Sequence, residues 1–531
     1  MSKLLFRYFL ISFLLCSHLL ATGQRRTLEP FDVLHYQFDV SLNDTTDVVF
    51  VNAKVTVFYG QHVPKNTILD LANQSGRTGM KVKELTINNE KVSFEHQADQ
   101  LKIQTLQSIQ KGDTSEIYIS YEGIPDNGLI ISKNAHGDRV FFAEHWPNQA
   151  HRWLPVVDHP AEKATCEFIV TAPEKYQVVA NGEFLSEKML LSNSKKTTWQ
   201  MSYPISTKVM VIGVAEFRTK TLDDKGRITA WIYKNSDDTI LNDFSEAPAI
   251  LESLEKLLGK YPFSKCDQVE STTRFGGMEN AGNIFYPEKL LTGKQKLNKT
   301  IAHEIGHQWF GNAVTEKDWA DIWISEGFAT FLENYWIHET LGKEYLQPKL
   351  EKEELKILSY QKKNPEHTVV QQNIEDLNNL MNALTYDKAA WVLRMLRYKL
   401  GKETFRKIIF TFYERFKYGN ASTQDFIDVA NEISLLDLTK FFQQWFFTPG
   451  APKVNYTWKY KKNKLIFEFE QLTDKMYHLD VDVQIKYQDM KFEIKHLELD
   501  KREQSIEIEC DEPSSVRVDP LNIILGHFQK E

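Results

Sequence analysis

The sequence contains few cysteines, which excludes a fold that depends on disulfide bonds. Four cysteines occur among 531 residues, and Cys16 lies in an N-terminal apolar segment. The other three, Cys166, Cys266 and Cys510, are scattered without metal-type spacing and can form at most one disulfide among themselves. We expect none of them to be catalytic.

The sequence also lacks an apolar run long enough to cross a membrane. The best candidate, residues 8–20, has about 13 residues, whereas a spanning helix needs about 20. Basic residues precede this run and small residues follow it, which is typical of a cleaved export signal over residues 1–23. We therefore expect an exported protein, periplasmic or secreted, with no stable membrane insertion after signal cleavage. Lipid anchoring through Cys16 is not expected, because Leu15 is larger than the small residue usual before a lipidated cysteine.

Neither sign of charge is in large excess. The formal net charge is −8, which gives no reason to expect a nucleic acid as partner. Internal repeats and low-complexity tracts are missing as well. The hydrophobic fraction of 42% and the charged fraction of 26% are near the averages of globular proteins, and the length predicts roughly two to four domains.

Hydrophobic periodicity divides the chain into three parts. Short alternating runs such as "CEFIVTAP" predict an N-terminal β-sheet domain over residues 24–217. Helical spacing, first clear in "APAILESLEKLLGKYPF", dominates residues 218–447. After the Pro/Gly break in "FFTPGAPKV", alternating runs predict a small, sandwich-like β domain over residues 448–531. The predicted fold class is a multidomain α+β protein with a mainly helical central domain.

The segment "TIAHEIGHQWFGN" carries the strongest chemical signal. Four residues advance an α-helix by about 400°, so His303 and His307 project from nearly the same side, one turn apart. Glu304 follows His303 by about 100° and can lie beside an ion that both rings bind. A zinc hydrolase uses this arrangement, with two imidazole ligands and a carboxylate near the bound water. The same pattern also arises by chance, so it needs a third ligand.

Glu326 is the candidate third ligand, because it opens the next helical segment, "SEGFATFLENYW". Two imidazoles and one carboxylate leave the fourth zinc position open for water, whose pKa then falls to about 7. Glu304 would act as the general base. The alternative is that Glu326 is only a helix-start glutamate favoured by the helix dipole. Asp321 is a candidate hydrogen-bond acceptor for a ligand imidazole, although a capping role fits it equally well.

Two further segments accompany the histidine motif. Upstream lies "TRFGGMENAGNIFY", and downstream lies "LTYDKAAWVL" with Tyr386. Together with the histidine motif and Glu326, in this order, they resemble the M1 family of zinc metallopeptidases, the gluzincin group of aminopeptidase N and leukotriene A4 hydrolase. "HRWLPVVDHPAEKATCEFIV" is similar to the signature of that family's N-terminal domain, so the resemblance spans nearly the whole chain.

The resemblance implies a thermolysin-like fold for the central domain and a role for each motif residue. His303, His307 and Glu326 would bind one zinc ion per chain, with Glu304 as base. Tyr386 would donate a hydrogen bond to the oxyanion of the tetrahedral intermediate. The substrate-binding segment would be Gly276, Gly277, Met278, Glu279 and Asn280. In it, Glu279 would bind the free α-ammonium of a peptide, and the glycines would let the peptide approach the backbone.

The sequence departs from the family pattern in two places. Many members have a glutamine or glutamate nine residues before the proline of the N-terminal signature, as a second ammonium anchor. Counted back from Pro155, that position is Trp146, and whether Glu144 substitutes for the missing anchor is open. The large helical domain that follows the small β domain in much of the family is absent from this sequence.

The sequence therefore predicts an exported zinc aminopeptidase that acts on peptides with a free N-terminus. A thermolysin-like endopeptidase is an alternative that shares the zinc motif but has no use for an ammonium clamp at Glu279. A non-catalytic binding module on the same scaffold is a second alternative. Loss of Glu304 or of a zinc ligand would favour it, and all of these residues are present.

Overall fold

The N-terminal part of the chain is a β domain. The structure, a computed structural model, describes residues 30–531 apart from 192, 373 and 375. Within these residues, fifteen strands precede the central domain. They are β1 Asp32–Ser41, β2 Val49–Phe58, β3 Asn66–Asp70, β4 Gly79–Ile87, β5 Glu90–Lys91, β6 Phe94–Gln97, β7 Gln100–Gln104, β8 Thr114–Ile124, β9 Leu129–Lys133, β10 Arg139–Ala143, β11 Lys163–Pro173, β12 Gln177–Ala180, β13 Glu183–Met189, β14 Ser194–Ser206 and β15 Ile212–Ala215.

These strands form three sheets. The largest has eight strands in the order β13-β14-β11-β1-β2-β8-β4-β5, with β1 parallel to β11. The others have the orders β12-β15-β10-β9 and β3-β7-β6. In β11 every second side chain, including Cys166 and Phe168, is buried. The alternation that the sequence shows in "CEFIVTAP" thus places one face of the sheet on a hydrophobic core.

In its described residues, the central domain combines a small sheet with eight α-helices. Strands β16 Phe217–Thr221, β17 Thr229–Tyr233, β18 Asp267–Ser271 and β19 Asn283–Pro287 form the sheet in this order. The shorter β20 Val314–Glu316 and β21 Gly419–Ala421 pair with each other. The helices are α1 Ala247–Leu258, α2 Asn298–His307, α3 Trp323–Trp336, α4 Lys343–Lys363, α5 Ala389–Leu400, α6 Lys402–Phe416, α7 Thr423–Ser434 and α8 Thr439–Phe446.

Two of these helices are extended by π-helical turns. Ile337–Leu341 continues α3, and Leu384–Lys388 leads into α5. Helix ends follow the local sequence: α1 ends at Gly259, which has a φ of 94°, and Ser422 and Asp425 form a capping box at the start of α7. Short 3₁₀ turns occur at Ala150–Arg152, Thr207–Val209, Asp238–Phe244, Glu288–Leu290, Trp319–Asp321 and Leu377–Leu380.

The C-terminal part consists of strands. They are β22 Lys453–Lys461, β23 Lys464–Gln471, β24 Leu479–Lys486, β25 Phe492–Leu499, β26 Glu503–Glu509, β27 Ser515–Val518 and β28 His527–Lys530. They form one sheet in the order β26-β23-β22-β28 and another in the order β25-β24-β27. The predicted succession of a β-rich domain, a mainly helical domain and C-terminal strands is therefore confirmed. The finer descriptions, sandwich-like and thermolysin-like, stay predictions.

The structure bears only in part on the predicted domain boundaries, export signal, membrane insertion and cysteines. Predicted boundaries at 217/218 and 447/448 stay predictions, and β16 starts at Phe217. The predicted export signal and Cys16 fall outside the described residues. In the described part of the chain, no helix is both long and apolar enough to span a bilayer. Cys166, Cys266 and Cys510 all carry free thiols.

Candidate metal and substrate site

Helix α2 brings the two motif histidines together. His303 and His307 lie one turn apart, and their Nε2 atoms are 3.1 Å from each other. The helix can lie close to α3 because Gly306 has no side chain: a Cβ there would already be 3.3 Å from Leu332. This close approach brings the start of α3 alongside the two rings.

Glu326 of α3 completes a set of three metal-ligating side chains. Its Oε2 lies 3.3 Å from His307 Nε2 and 3.5 Å from His303 Nε2. A tetrahedral zinc with bonds of about 2.0–2.2 Å needs ligand atoms about 3.3–3.6 Å apart. Two nitrogens and one carboxylate oxygen at 3.1–3.5 Å therefore fit a zinc ion in both chemistry and size.

The set is also electrostatically matched. Glu326 and His307 are buried, and His303 is nearly so. Burial opposes ionisation of Glu326, but the charges of His307 and His303 outweigh it and hold the pKa of this carboxyl below its ordinary value. Glu326 is thus anionic and buried, as a carboxylate that binds a metal ion would be, whereas the helix-start alternative would leave it exposed.

Outer partners orient both imidazoles. Nδ1 of His303 lies 3.7 Å from Oε2 of Glu333, and the other oxygen of this carboxylate, Oε1, is 3.2 Å from Lys349 Nζ. Nδ1 of His307 lies 3.2 Å from Ser325 Oγ. Sequence reasoning missed Glu333, although it follows Glu326 by about two turns of α3 and so lies on the same face of the helix.

Asp321 does not have the outer role considered for it. Its Oδ1 accepts hydrogen bonds from the backbone N–H of Thr423, at 2.9 Å, and from Thr423 Oγ1, at 2.7 Å. The carboxylate therefore joins the turn before α3 to the start of α7. The capping alternative describes this contact better than a bond to a ligand imidazole.

A cavity of about 270 Å³ opens over these residues. The predicted site residues that line it are Gly276, Gly277, Met278, Glu279, His303, Glu304, His307, Glu326 and Tyr386. Asn280 does not line it: its side chain is fully buried, and neither its amide nitrogen nor its oxygen has a hydrogen-bond partner among the described residues. The structure thus brings together residues from four separate segments of the chain.

Glu279 and Glu304 place two buried carboxylates in this cavity. One oxygen of each lies within 4.8 Å of the other and of a His307 nitrogen. Burial raises the pKa of Glu304 to about 7; the charges of His303 and His307 oppose the rise, and Glu279 adds to it. A base with a pKa near neutrality is well suited to proton transfer.

The backbone that carries Glu279 is fixed by α2 and the turn after it. The carbonyl of Glu279 accepts a hydrogen bond from Gln308 Nε2, at 2.8 Å, and another from Asn312 Nδ2, at 2.6 Å. Gln308 Oε1 also accepts the backbone N–H of Gly282. The histidine motif therefore positions the segment that carries Glu279, and sequence reasoning did not assign these two amides.

Tyr386 lies beside His303 in the cavity lining. It belongs to the π-helical turn before α5, and its ring stacks on that of His303 with 6.1 Å between centroids and an interplanar angle of 4°. Burial, followed by the charges of Glu326 and Glu279, holds the pKa of Tyr386 well above its ordinary value. The phenol is protonated at neutral pH and can donate a hydrogen bond.

At the place where many family members have a second ammonium anchor, this chain has Trp146 in the cavity lining and Glu144 outside it. Trp146 lines the cavity and stacks on Trp319 with 5.6 Å between centroids. Glu144 is fully buried outside the cavity lining, where its two oxygens accept hydrogen bonds from the backbone N–H and Nε of Arg274, both at 2.6 Å. Its predicted role in substrate binding stays a prediction, and Arg274 neutralises its charge in this structure.

Sequence comparisons agree with this geometry. Residues 243–445 match a model of the peptidase family M1 domain, and residues 34–209 match one of the peptidase M1 N-terminal domain. Glutamyl aminopeptidase of Rattus norvegicus is 27% identical over 363 residues, which are 64% of this chain and 38% of that protein. Tricorn protease-interacting factor F2 of Thermoplasma acidophilum is 28% identical over 395 residues, 71% of this chain and 49% of the relative. Aminopeptidase 2 of Candida albicans is 24% identical over 461 residues, which are 81% of this chain and 47% of that protein. The chain thus spans less than half the length of these relatives.

Proposed function

Because the chain belongs to peptidase family M1, we propose that it is a zinc-dependent aminopeptidase that removes residues from peptides with a free N-terminus. The matches to both M1 domains support this proposal. The side chains of His303, His307 and Glu326 support it too, because their nitrogen and oxygen atoms have the spacing of a tetrahedral zinc site. We further propose that the protein is exported and acts in the periplasm or outside the cell, on the basis of the predicted signal at residues 1–23.

One observation carries the assignment as an exopeptidase. The carboxylate of Glu279 lies within 4.8 Å of both Glu304 and His307 in the same cavity. An ammonium bound at Glu279 would hold the first peptide bond of a substrate next to the base. A charge-assisted bond of this kind contributes roughly 1.5–3 kcal/mol.

The chemistry divides among the residues of the cavity. Zinc held by His303, His307 and Glu326 would act as a Lewis acid and lower the pKa of water. Glu304 takes the proton from the attacking water at its carboxylate and passes it to the leaving amine. Tyr386 donates its phenolic hydrogen to the oxyanion, where its bond strengthens as charge develops.

The proposal is tested by product analysis of one peptide in two forms, with a free and with an acetylated N-terminus. We expect stepwise release of single residues from the free form and little cleavage of the acetylated form. A chelator should abolish the release, and added zinc should restore it. Rapid cleavage of the acetylated peptide at an internal bond would favour the endopeptidase alternative. Full activity in thoroughly metal-free protein would overturn the zinc assignment.

A further inference from the structure

A second and larger cavity lies on another face of α3. Its volume is about 410 Å³, within the range of small-molecule sites, and it shares no lining residue with the cavity over the histidines. Buried apolar side chains form its walls, among them Phe331 of α3, Leu346 and Leu350 of α4, and Trp391 of α5. Ile523, which precedes β28, closes one side.

The ionisable side chains of Lys, Arg, His, Asp and Glu type that line this cavity are all basic. They are His338, Lys343, Arg394, Arg397 and Lys402. Within residues 30–531, apart from 192, 373 and 375, the cavity lining contains no aspartate or glutamate. This concentration of positive charge is unusual for a chain whose net charge is −8.

Carboxylates outside the lining compensate part of this charge. Glu339 Oε1 lies 3.0 Å from His338 Nδ1, and the negative charges of Asp519, Glu353 and Glu354 act on Arg394. Arg394 donates to the backbone carbonyls of Leu521, at 3.0 Å, and Asn522, at 2.5 Å. Burial lowers the pKa of Arg394 to about 10, so its guanidinium is still charged at neutral pH. Arg397 lies 4.0 Å from Glu339, the outer limit of an ion pair.

The two lysines are less compensated still. Within the described part of the chain, neither Lys343 nor Lys402 forms an ion pair. They begin α4 and α6, and neither helix has a side-chain cap. The free backbone N–H groups and the positive ends of the helix dipoles therefore add to the positive potential. Glu344 and Glu403 belong to the first turns of these helices but do not line the cavity.

We propose that this cavity binds a small amphipathic carboxylate. The apolar part of the ligand would lie against Phe331, Leu350 and Trp391, and the carboxylate would sit among the basic side chains at the rim. A wholly apolar ligand would leave Lys343 and Lys402 without a counter-charge, and a small hydrophilic anion would make no contact with the aromatic wall. The inference does not depend on the peptidase activity, because the two cavities lie on different faces of α3.

Direct calorimetric titration with decanoate, below the concentration at which it self-associates, tests the proposal. We expect saturable binding of one decanoate per chain. The Arg397→Gln/Lys402→Gln variant should bind at least about tenfold more weakly, because loss of one charge-assisted bond of about 1.4 kcal/mol corresponds to one decade. Decyltrimethylammonium, with the same chain and the opposite charge, should bind at least tenfold more weakly than decanoate.

A matched control separates this site from general surface charge. Arg406 is exposed on α6, like Lys402, but does not line the cavity, so Arg406→Gln should bind decanoate as the unchanged protein does. Undiminished affinity in the Arg397→Gln/Lys402→Gln variant would place any bound decanoate elsewhere and overturn the proposal. Absence of saturable binding, or equal binding of the cationic analogue, would overturn it too.

Discussion

The carboxylate of Glu304 lies close against the backbone of Gly277. A Cβ built on Gly277 would lie 2.3 Å from Glu304 Oε1, whereas one built on Gly276 meets nothing within 4 Å. The two neighbouring glycines therefore differ in the space that a side chain would have. Gly277 leaves room for the base itself, and Gly276 leaves room for whatever enters the cavity.

This difference gives a prediction with its own control. Gly277→Ala should lower the free energy of unfolding by about 1–3 kcal/mol, the usual cost of overpacking, and should lower kcat by displacing Glu304. Gly276→Ala should change the free energy of unfolding by less than about 0.5 kcal/mol. Urea unfolding and steady-state kinetics of both variants measure the effects. Equal destabilisation by the two substitutions would contradict the packing described for Glu304.

Substitutions can distinguish the roles of the base and the oxyanion donor from those of the zinc ligands. Glu304→Gln keeps the shape of the side chain and should retain zinc, while kcat falls at least about 100-fold because the proton acceptor is lost. Tyr386→Phe should lower kcat with little change in KM, because its bond forms mainly in the transition state. Zinc content and kinetics are measured on the same preparations. A wild-type rate in either variant would remove the role assigned to that residue.

At the scale of elements, α3 connects the ligand set to an outer network. It supplies Glu326 to the proposed metal site, and its Glu333 lies 3.7 Å from Nδ1 of His303. Lys349 of α4 lies 3.2 Å from Glu333 and within ion-pair distance of Glu353. The orientation of His303 therefore depends on a charge network that joins two helices. Partners of this kind usually tune metal affinity rather than create it.

Glu333→Gln should accordingly weaken zinc binding by roughly 10–100-fold without unfolding the protein. The exposed Glu339 in the π-helical turn after α3 provides a control, and Glu339→Gln should leave the affinity unchanged. Competition with a chromogenic chelator measures the dissociation constant of both variants. Unchanged zinc affinity in Glu333→Gln would show that His303 is oriented without this carboxylate.

At the scale of the whole molecule, a buried ion pair joins the N-terminal and central domains. Lys208 follows β14, Glu316 lies in β20, and their side chains are 3% and 0% exposed. Lys163, at the start of β11, donates to the backbone carbonyls of Asn312 and Ala313, just after the histidine motif. Because Asn312 also holds the carbonyl of Glu279, the interface between domains supports the substrate site.

A double-mutant cycle tests the energetic weight of this ion pair. Lys208→Met should destabilise the protein by about 3–5 kcal/mol, since it removes the cation that pairs directly with the buried Glu316. Adding Glu316→Gln should recover a large part of the loss. The exposed cross-strand pair Lys54–Glu116, at 37% and 57% exposure, should show a coupling of at most about 1 kcal/mol. Thermal unfolding measures both cycles, and strictly additive effects at Lys208 and Glu316 would contradict the account.

The sequence allowed prediction of the parts that depend on local spacing. His303, Glu304 and His307 share one helix, so their relative placement follows from helical geometry. Contacts between distant segments could not be predicted in this way: Glu144 meets Arg274 across 130 positions. Strands β18 and β19 were also missed, because all their residues are buried and no alternation marks them.

The selectivity for a free amine tests the central claim most directly. We would measure kcat/KM for one chromogenic substrate in free and acetylated form, for the unchanged protein and for Glu279→Gln and Glu144→Gln. The account predicts a preference for the free amine of at least about tenfold, because one decade corresponds to roughly 1.4 kcal/mol. Glu279→Gln should lose most of it, and Glu144→Gln should keep it, because Arg274 already engages the Glu144 carboxylate outside the cavity. Full selectivity in Glu279→Gln would contradict the account.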